Sequence, residues 1–445
     1  MKFESDSSPE ELDLVWPKYG LRESPYSTSP MRLLGILPIE KVFSGRVFEV
    51  NKLKKIITSL NSSRTLIVGD FGVGKTTFTN YVRWLLSIKG GIRSKYLTIN
   101  AEIKVQKDWD ATKFLLSTLS AIYTSSIIFD WKSKGLKLKS VEKLKDYVSV
   151  SKQKNYQGSL AGFGGGFGSG NNYPLALSPE ILEDLLIMVC KEIMENGKQI
   201  ILLYDNLENI ELEKLADIFK SIRDYIQFEG LHTLFLGPPD IISALESHGQ
   251  VHSVFGQPFF LNPLTENNVL EILKKRCEAL KSIQGRYLPP YDEKMVKDLY
   301  QKLNCNIRFT FKVLEDTTII SEAKAPCKIT MDEIKVVQEK EKKEILSTLS
   351  ENPLKIITAL LTKPKLSQRD LSIITKIGET NLTSPLRELK KKGLITINKG
   401  KKDKRIKWVK LSDNSYLKLF FISEEVPEKK DKELDSYLGI NKVLR

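Results

Sequence analysis

The residues with the most definite chemistry are Gly69-Asp70-Phe71-Gly72-Val73-Gly74-Lys75-Thr76, which satisfy G-x-x-x-x-G-K-[ST] at every fixed position. Glycines let such a loop curl until successive backbone N–H groups converge on phosphate oxygens. Lys75 supplies countercharge for the β and γ phosphates, and the Thr76 hydroxyl suits Mg²⁺. The expected nucleotide contacts are therefore Gly69, Asp70, Phe71, Gly72, Val73, Gly74, Lys75, Thr76 and Thr77. A phosphate loop alone binds; hydrolysis also needs a carboxylate for the metal at the end of a neighbouring strand. The apolar run Ile200-Ile201-Leu202-Leu203-Tyr204 ends in Asp205, so Thr76 and Asp205 form the expected Mg²⁺ pair and ATP the expected cofactor. The next residue, Asn206, cannot accept a proton. Glu208 is then the candidate base for the attacking water, and turnover is expected to be slow.

These groups need elements to place them. Thr65–Val68 reads as a buried strand before the loop, and a helix starting at Thr76 would point its positive dipole end at the phosphates. Further strands are expected at Tyr96–Ile99, Gln199–Tyr204, Thr233–Leu236 and, more weakly, Pro258–Leu261. Helical patterns lie between them, at Ala111–Tyr123, Pro179–Met194 and Leu212–Tyr225. Strands alternating with helices indicate an α/β domain with a mainly parallel sheet. The distance from Lys75 to Asp205 is long for such a unit and implies an insertion at about 130–173. Its end, Gly158–Gly170, holds seven glycines in 13 residues and cannot form a regular helix.

From Thr265 the pattern turns all-helical: Thr265–Leu280, Lys294–Leu303, Arg308–Ile320 and a charged connector, Met331–Leu349. A second strong signal follows. Leu354, Ile357, Leu360 and Leu361 mark one helix, and Ser367 caps a second over Leu371–Ile374. A third runs from Thr380 with Leu382, Leu386 and Leu389 inward, before Leu394–Ile397 and Ile406–Leu411 alternate as a hairpin. Three short helices with a hairpin read as a winged helix-turn-helix. Its outward residues Thr380, Asn381, Thr383, Ser384, Arg387 and Lys390 suit base edges and phosphates, and Lys401, Lys402, Lys404 and Arg405 of the hairpin tip suit the backbone.

Charge agrees with this division. The chain of 445 residues carries a net charge of +14, yet residues 352–420 alone hold 17 Lys and Arg against 5 Asp and Glu. Nearly all the surplus sits in one small module, which points to duplex DNA as the partner. The length implies several domains. We expect an arm at 1–36, a nucleotide domain at 37–262, a helical lid and connector at 263–349, the winged module at 350–420 and a charged tail at 421–445. The apolar and charged fractions, 41% and 28%, exclude wholesale disorder. Cys190, Cys277, Cys305 and Cys327 are widely spaced, which argues for buried thiols rather than zinc or disulfides. An acidic N-terminus and the lack of a long apolar run point to the cytoplasm, with no membrane partner.

Residues 37–411 resemble the AAA+ ATPases of the archaeal origin-recognition and helicase-loader group. Leu37-Pro38 and Phe43-Ser44-Gly45-Arg46-Val47-Phe48-Glu49 are similar to that family's Gly-Arg-Glu box near the adenine, with Val47 in place of the Glu. Asn304-Cys305-Asn306-Ile307-Arg308 resembles its lid sensor motif, which makes Arg308 the residue expected to report the γ-phosphate. Three departures stand out: Asp205-Asn206 replaces an Asp-Glu pair, Leu236-Gly237-Pro238-Pro239 lacks a polar sensor, and Val251–Gly256 contains no Arg. These losses resemble STAND-type signalling ATPases. The resemblance implies a DNA-binding ATPase of replication initiation or plasmid maintenance, with self-association or replication proteins as partners. Its competitors are a nucleotide-switched transcription regulator and a transposition or helicase-loading accessory.

Overall fold

The computed structural model describes residues 15–145, 178–246, 249, 253–282, 287–321, 326–363, 365–399, 407–412 and 415. They divide into two compact units. One comprises Ser27–Lys281 with Cys305–Arg308; the other comprises Met1–Tyr26, Ser282–Asn304 and Phe309–Arg445 as far as they are described.

The first unit is built on six short strands: β1 (Ser63–Val68), β2 (Tyr96–Thr98), β3 (Ile103–Lys104), β4 (Gln199–Asp205), β5 (Leu231–Gly237) and β6 (Phe259–Phe260). The sheet order is β2-β4-β5-β1-β6, with β3 also on β4, and every pairing is parallel. A parallel sheet is buried on both faces, which explains why β1, β4 and β5 are runs of Val, Ile and Leu. Helices α1 (Val47–Thr58) and α2 (Lys75–Arg83) bring Val50, Leu53, Ile57, Phe78 and Val82 against Ile67, Ile201 and Leu203. On the other face, α3 (Ala111–Ile128), α4 (Pro179–Glu195) and α5 (Leu212–Ser221) pack Phe114, Leu186 and Phe219 against Leu66, Leu202 and Tyr204. Residues alternate across β4, so Ile201, Leu203 and Asp205 face α2 while Tyr204 faces away. Helix α6 (Glu266–Leu280), capped by the Thr265 hydroxyl, closes the unit.

Several expectations need correction. The loop helix begins at Lys75 rather than Thr76, because the left-handed Gly74 serves as its N-cap. The pattern over 212–225 breaks at Ile222 into two helices. Two short strands, β3 and β7 (Lys365–Ser367), went unseen because two or three residues cannot show a period. Cys190 and Cys277 are buried thiols, but Cys305 and Cys327 are only half-buried. Part of the insertion, residues 139–145, is helical and sends Val141 and Leu144 into the core. The glycine-rich stretch lies outside the described residues.

In the second unit, α7 (Glu293–Lys302), α8 (Ile307–Ile320) from Phe309 onward and α9 (Met331–Ser347) precede three further helices: α10 (Glu351–Thr362), α11 (Gln368–Thr375) and α12 (Thr383–Lys391). Helix α11 carries the expected capping box, in which Ser367 and Asp370 exchange side-chain and backbone bonds. The helix expected from Thr380 instead opens as a 3-10 turn, Glu379–Leu382, before α12. Pro385 explains this. Without an N–H it cannot bond the Asn381 carbonyl, so a regular helix can hold it only in the first turn. Strands β8 (Ile395–Lys399) and β9 (Lys407–Leu411) pair antiparallel, with β7 on the far side of β9. Ile356, Leu360, Leu371, Leu382, Leu386, Leu389 and Val409 form one buried core beneath them. No helix among the described residues is long and apolar enough to cross a membrane.

Candidate functional site

Strand β1 delivers the phosphate loop at its C-terminal end, with β5 between it and β4. Gly72 (φ 80°) and Gly74 (φ 93°) take left-handed backbone that a side chain would disfavour. Gly69 is needed for a different reason: a Cβ there would approach the Leu261 carbonyl oxygen to 2.6 Å. The loop is braced from outside by Arg46, whose Nη2 donates to the carbonyls of Val73 (2.9 Å) and Asn262 (2.8 Å). Arg46 is buried and itself left-handed at φ 58°. The resemblance puts the box that contains Arg46 near the adenine; in the structure its guanidinium bonds the loop.

The Lys75 ammonium lies back across the loop, donating to Gly69 O at 2.7 Å and Asp70 O at 3.1 Å. Burial pulls its pKa down, against the opposing pull of Glu208, Asp205 and Asp70. The Thr76 hydroxyl donates to Asp205 Oδ2 at 2.7 Å, so the two expected metal ligands come together. The other carboxylate oxygen, Oδ1, accepts from the Asn206 N–H at 2.9 Å. Burial raises the Asp205 pKa, the Thr76 and Asn206 bonds oppose that rise, and nearby Glu102 adds to it. Glu208 has an exposed side chain within electrostatic reach of Lys75. Desolvation by surrounding protein, reinforced by Asp205, lifts its carboxyl. Thr77 is committed differently: its hydroxyl accepts from the Met31 N–H at 3.2 Å.

A second set of contacts holds the loop tip. Asn306 Nδ2 donates to the Phe71 carbonyl at 2.9 Å, and the Arg308 guanidinium lies over the Phe71 ring, 4.5 Å from its centroid. The backbone reaches this position through left-handed Asn304 and Cys305. Arg308 also helps depress the Lys75 pKa, which places the two cations in one field. The oxygen donors Thr76 and Asp205 suit a hard cation. The first-turn amides of α2 have no preceding carbonyl within the helix, so they suit phosphate oxygens. The site therefore fits ATP and Mg²⁺ in the type of its donors.

The KAP family P-loop domain matches residues 49–390, about three quarters of the sequence. The chain belongs to the KAP family. No curated protein matches this KAP-family chain. Among solved structures it is similar to the Aeropyrum pernix ORC1 protein in complex with DNA. The identity is 15% over 88% of this chain and 95% of that one, with a TM-score of 0.46. The A. pernix ORC2 protein with ADPNP and ADP is 16% identical over 85% and 93%, with a TM-score of 0.44. CDC6P from Pyrobaculum aerophilum is 14% identical over 89% and 97%, with a TM-score of 0.42. The KAP-family chain is thus a P-loop NTPase of the α/β class.

In the other unit, Thr380, Asn381, Thr383, Ser384, Arg387 and Lys390 are all exposed, and Leu382, Leu386 and Leu389 are buried. Lys401, Lys402, Lys404 and Arg405 lie outside the described residues. Sequence reasoning missed Glu102, a buried carboxylate between β2 and β3. No pattern announces it, since the strands on either side are too short to show alternation.

Proposed function

We propose that this protein is an ATP-binding, slowly hydrolysing NTPase that uses a C-terminal winged helix to engage duplex DNA, with nucleotide controlling that engagement. The observation that supports the nucleotide half is the Thr76–Asp205 bond at 2.7 Å, since a hydroxyl and a carboxylate so paired, with Lys75 of the same loop, are the donors that hold Mg²⁺ in phosphate-loop sites. In this reading the loop amides and Lys75 bind the phosphates, Thr76 and Asp205 hold the metal, Glu208 orients water and Arg308 senses the third phosphate. Bound Mg²⁺ would neutralise charge on the β and γ oxygens. The second unit supports the DNA half through helices α10, α11 and α12, its three-stranded antiparallel sheet and the polar, basic outer face of α12. The setting we favour is replication initiation or plasmid maintenance. The Asp205-Asn206 pair, which lacks a second carboxylate at that point, favours as second reading a nucleotide-switched regulator that turns over little.

The test is duplex binding by the full chain with ATP, with ADP and without nucleotide, alongside Lys75→Ala. Wild type should show different affinities in the three conditions, and Lys75→Ala one affinity throughout, having lost its phosphate countercharge. Equal wild-type affinities, or tight ATP binding by Lys75→Ala, would refute the proposal.

A further inference from the structure

We propose that Glu102 is a second carboxylate of the nucleotide site, accepting from the water shell of the Mg²⁺ that Thr76 and Asp205 hold. This rests on the reading of the phosphate loop given above. Three observations carry it, beginning with sheet register. Ile103 is paired with Tyr204 in parallel, and both enter the core on the face away from α2. Glu102 immediately precedes Ile103 and Asp205 immediately follows Tyr204, so each carboxylate adjoins a residue that faces away from α2, and alternation carried one residue beyond β3 would turn both toward that helix. Electrostatics agree with this, because Glu102 acts on Arg83 of α2 as well as on Asp205.

The second observation is burial. The Glu102 side chain is only 3% exposed, with Oε1 at 3.7 Å from the ammonium of exposed Lys104. Oε2 is buried and receives no hydrogen bond among the described residues. A carboxylate oxygen withheld from water without a donor is costly, and a donor arriving with a bound ion would remove that cost. Arg83 does not do so: its Nε bonds Thr98 Oγ1, Nη1 bonds Asn80 Oδ1 and Nη2 bonds the Ile99 carbonyl.

The third is the chemistry of the ion. Mg²⁺ surrenders water reluctantly and is usually bound through one or two carboxylates plus phosphates. Oxygens that receive its waters are as much part of the site as its direct ligands. Position 206 offers an amide where a second carboxylate could stand, and Glu102 supplies that charge from the neighbouring strand.

The experiment measures ATP affinity of the full chain against free Mg²⁺, from an EDTA-buffered zero upward, for wild type, Glu102→Gln and Glu102→Asp. Glu102→Gln should need roughly 10-fold more Mg²⁺ for half its effect, with affinity for metal-free ATP retained. Glu102→Asp keeps the charge near Arg83 but withdraws the oxygens by one methylene. It should show the same displacement, and it carries the test if Glu102→Gln does not fold. An unchanged Mg²⁺ requirement in a variant that binds ATP overturns the inference. So does a loss of thermal stability with equal weakening of ATP at every Mg²⁺ level, which would make Glu102 a countercharge for Arg83. If wild type binds no ATP at all, the site reading itself fails and takes this inference with it; wild-type binding with an unshifted Glu102→Gln removes the inference alone.

Discussion

At the scale of single residues, the site holds two cations on neutral groups of its own loop. Lys75 lies on two loop carbonyls, and Arg308 lies on the Phe71 ring. Phe71 is half exposed, so the stack is worth only about 0.5–1 kcal/mol. A hydrogen bond to a charged phosphate is worth more, about 1.5–3 kcal/mol, so a triphosphate within reach would draw the guanidinium off the ring. Arg308→Ala should therefore weaken ATP by the difference, about 0.5–2.5 kcal/mol, and leave ADP nearly unchanged, read by parallel calorimetric titrations. Equal, small losses for both nucleotides would reduce Arg308 to a brace for the loop tip. The loop itself was legible in the sequence because its glycines, Lys75 and Thr76 act at fixed local spacing. Glu102 was not, because its nearness to Asp205 comes from β3 lying against β4, a contact about a hundred residues away in sequence.

At the scale of elements, the central strands are tied by a polar cluster within an apolar sheet. His232 of β5 is fully buried, with Nδ1 2.8 Å from Ser63 Oγ and Nε2 3.2 Å from Gln199 Oε1. A neutral ring satisfies both neighbours, donating to Gln199 and accepting from Ser63. Desolvation, with Lys95 and Arg64 nearby, lowers its pKa to about 4. The unfolded chain takes up this proton near pH 6.5, whereas the folded chain resists until about 4. Stability from this group is therefore complete above pH 6.5 and falls as pH drops through that window, by on the order of 3 kcal/mol in total. His232→Asn should flatten the melting-temperature profile between pH 6.5 and 4, and an unaltered slope would assign the acid loss to carboxylates instead. In the second unit, Leu382, Leu386 and Leu389 were readable as an inner face from their spacing, as was the Ser367 cap. The 3-10 opening of that helix was not, because only the place of Pro385 in the first turn decides it. The face opposite the leucines yields a further test. Arg387→Ala should cost about 1–3 kcal/mol on a preferred duplex if it bonds a base edge, and an equal loss on random DNA would make it a phosphate contact.

At the scale of the whole molecule, a basic module and a nucleotide-binding module share one chain, and net charge alone would give no reason for that union. Residues 352–420 carry 17 basic and 5 acidic groups, and the DNA binding proposed for them would draw on counterion release, which needs no ATP. If the two activities are coupled, thermodynamics fixes how. A nucleotide that changes DNA affinity by some factor must find its own affinity changed by the same factor when DNA is present, because both measure one coupling free energy. Coupling energies of this kind are typically about 1–3 kcal/mol, or roughly 5- to 150-fold. We expect ATP and ADP to differ in this factor, since the roles proposed for Arg308 and Glu208 both depend on a third phosphate. The measurement is a closed thermodynamic square: duplex affinity with and without ATP, and ATP affinity with and without duplex, at one fixed salt concentration. Matching factors on opposite sides, larger than fivefold and collapsing to one in Lys75→Ala, would establish a switch. Factors of one on all sides would leave two independent binders on a single chain and remove nucleotide control of DNA from the proposal.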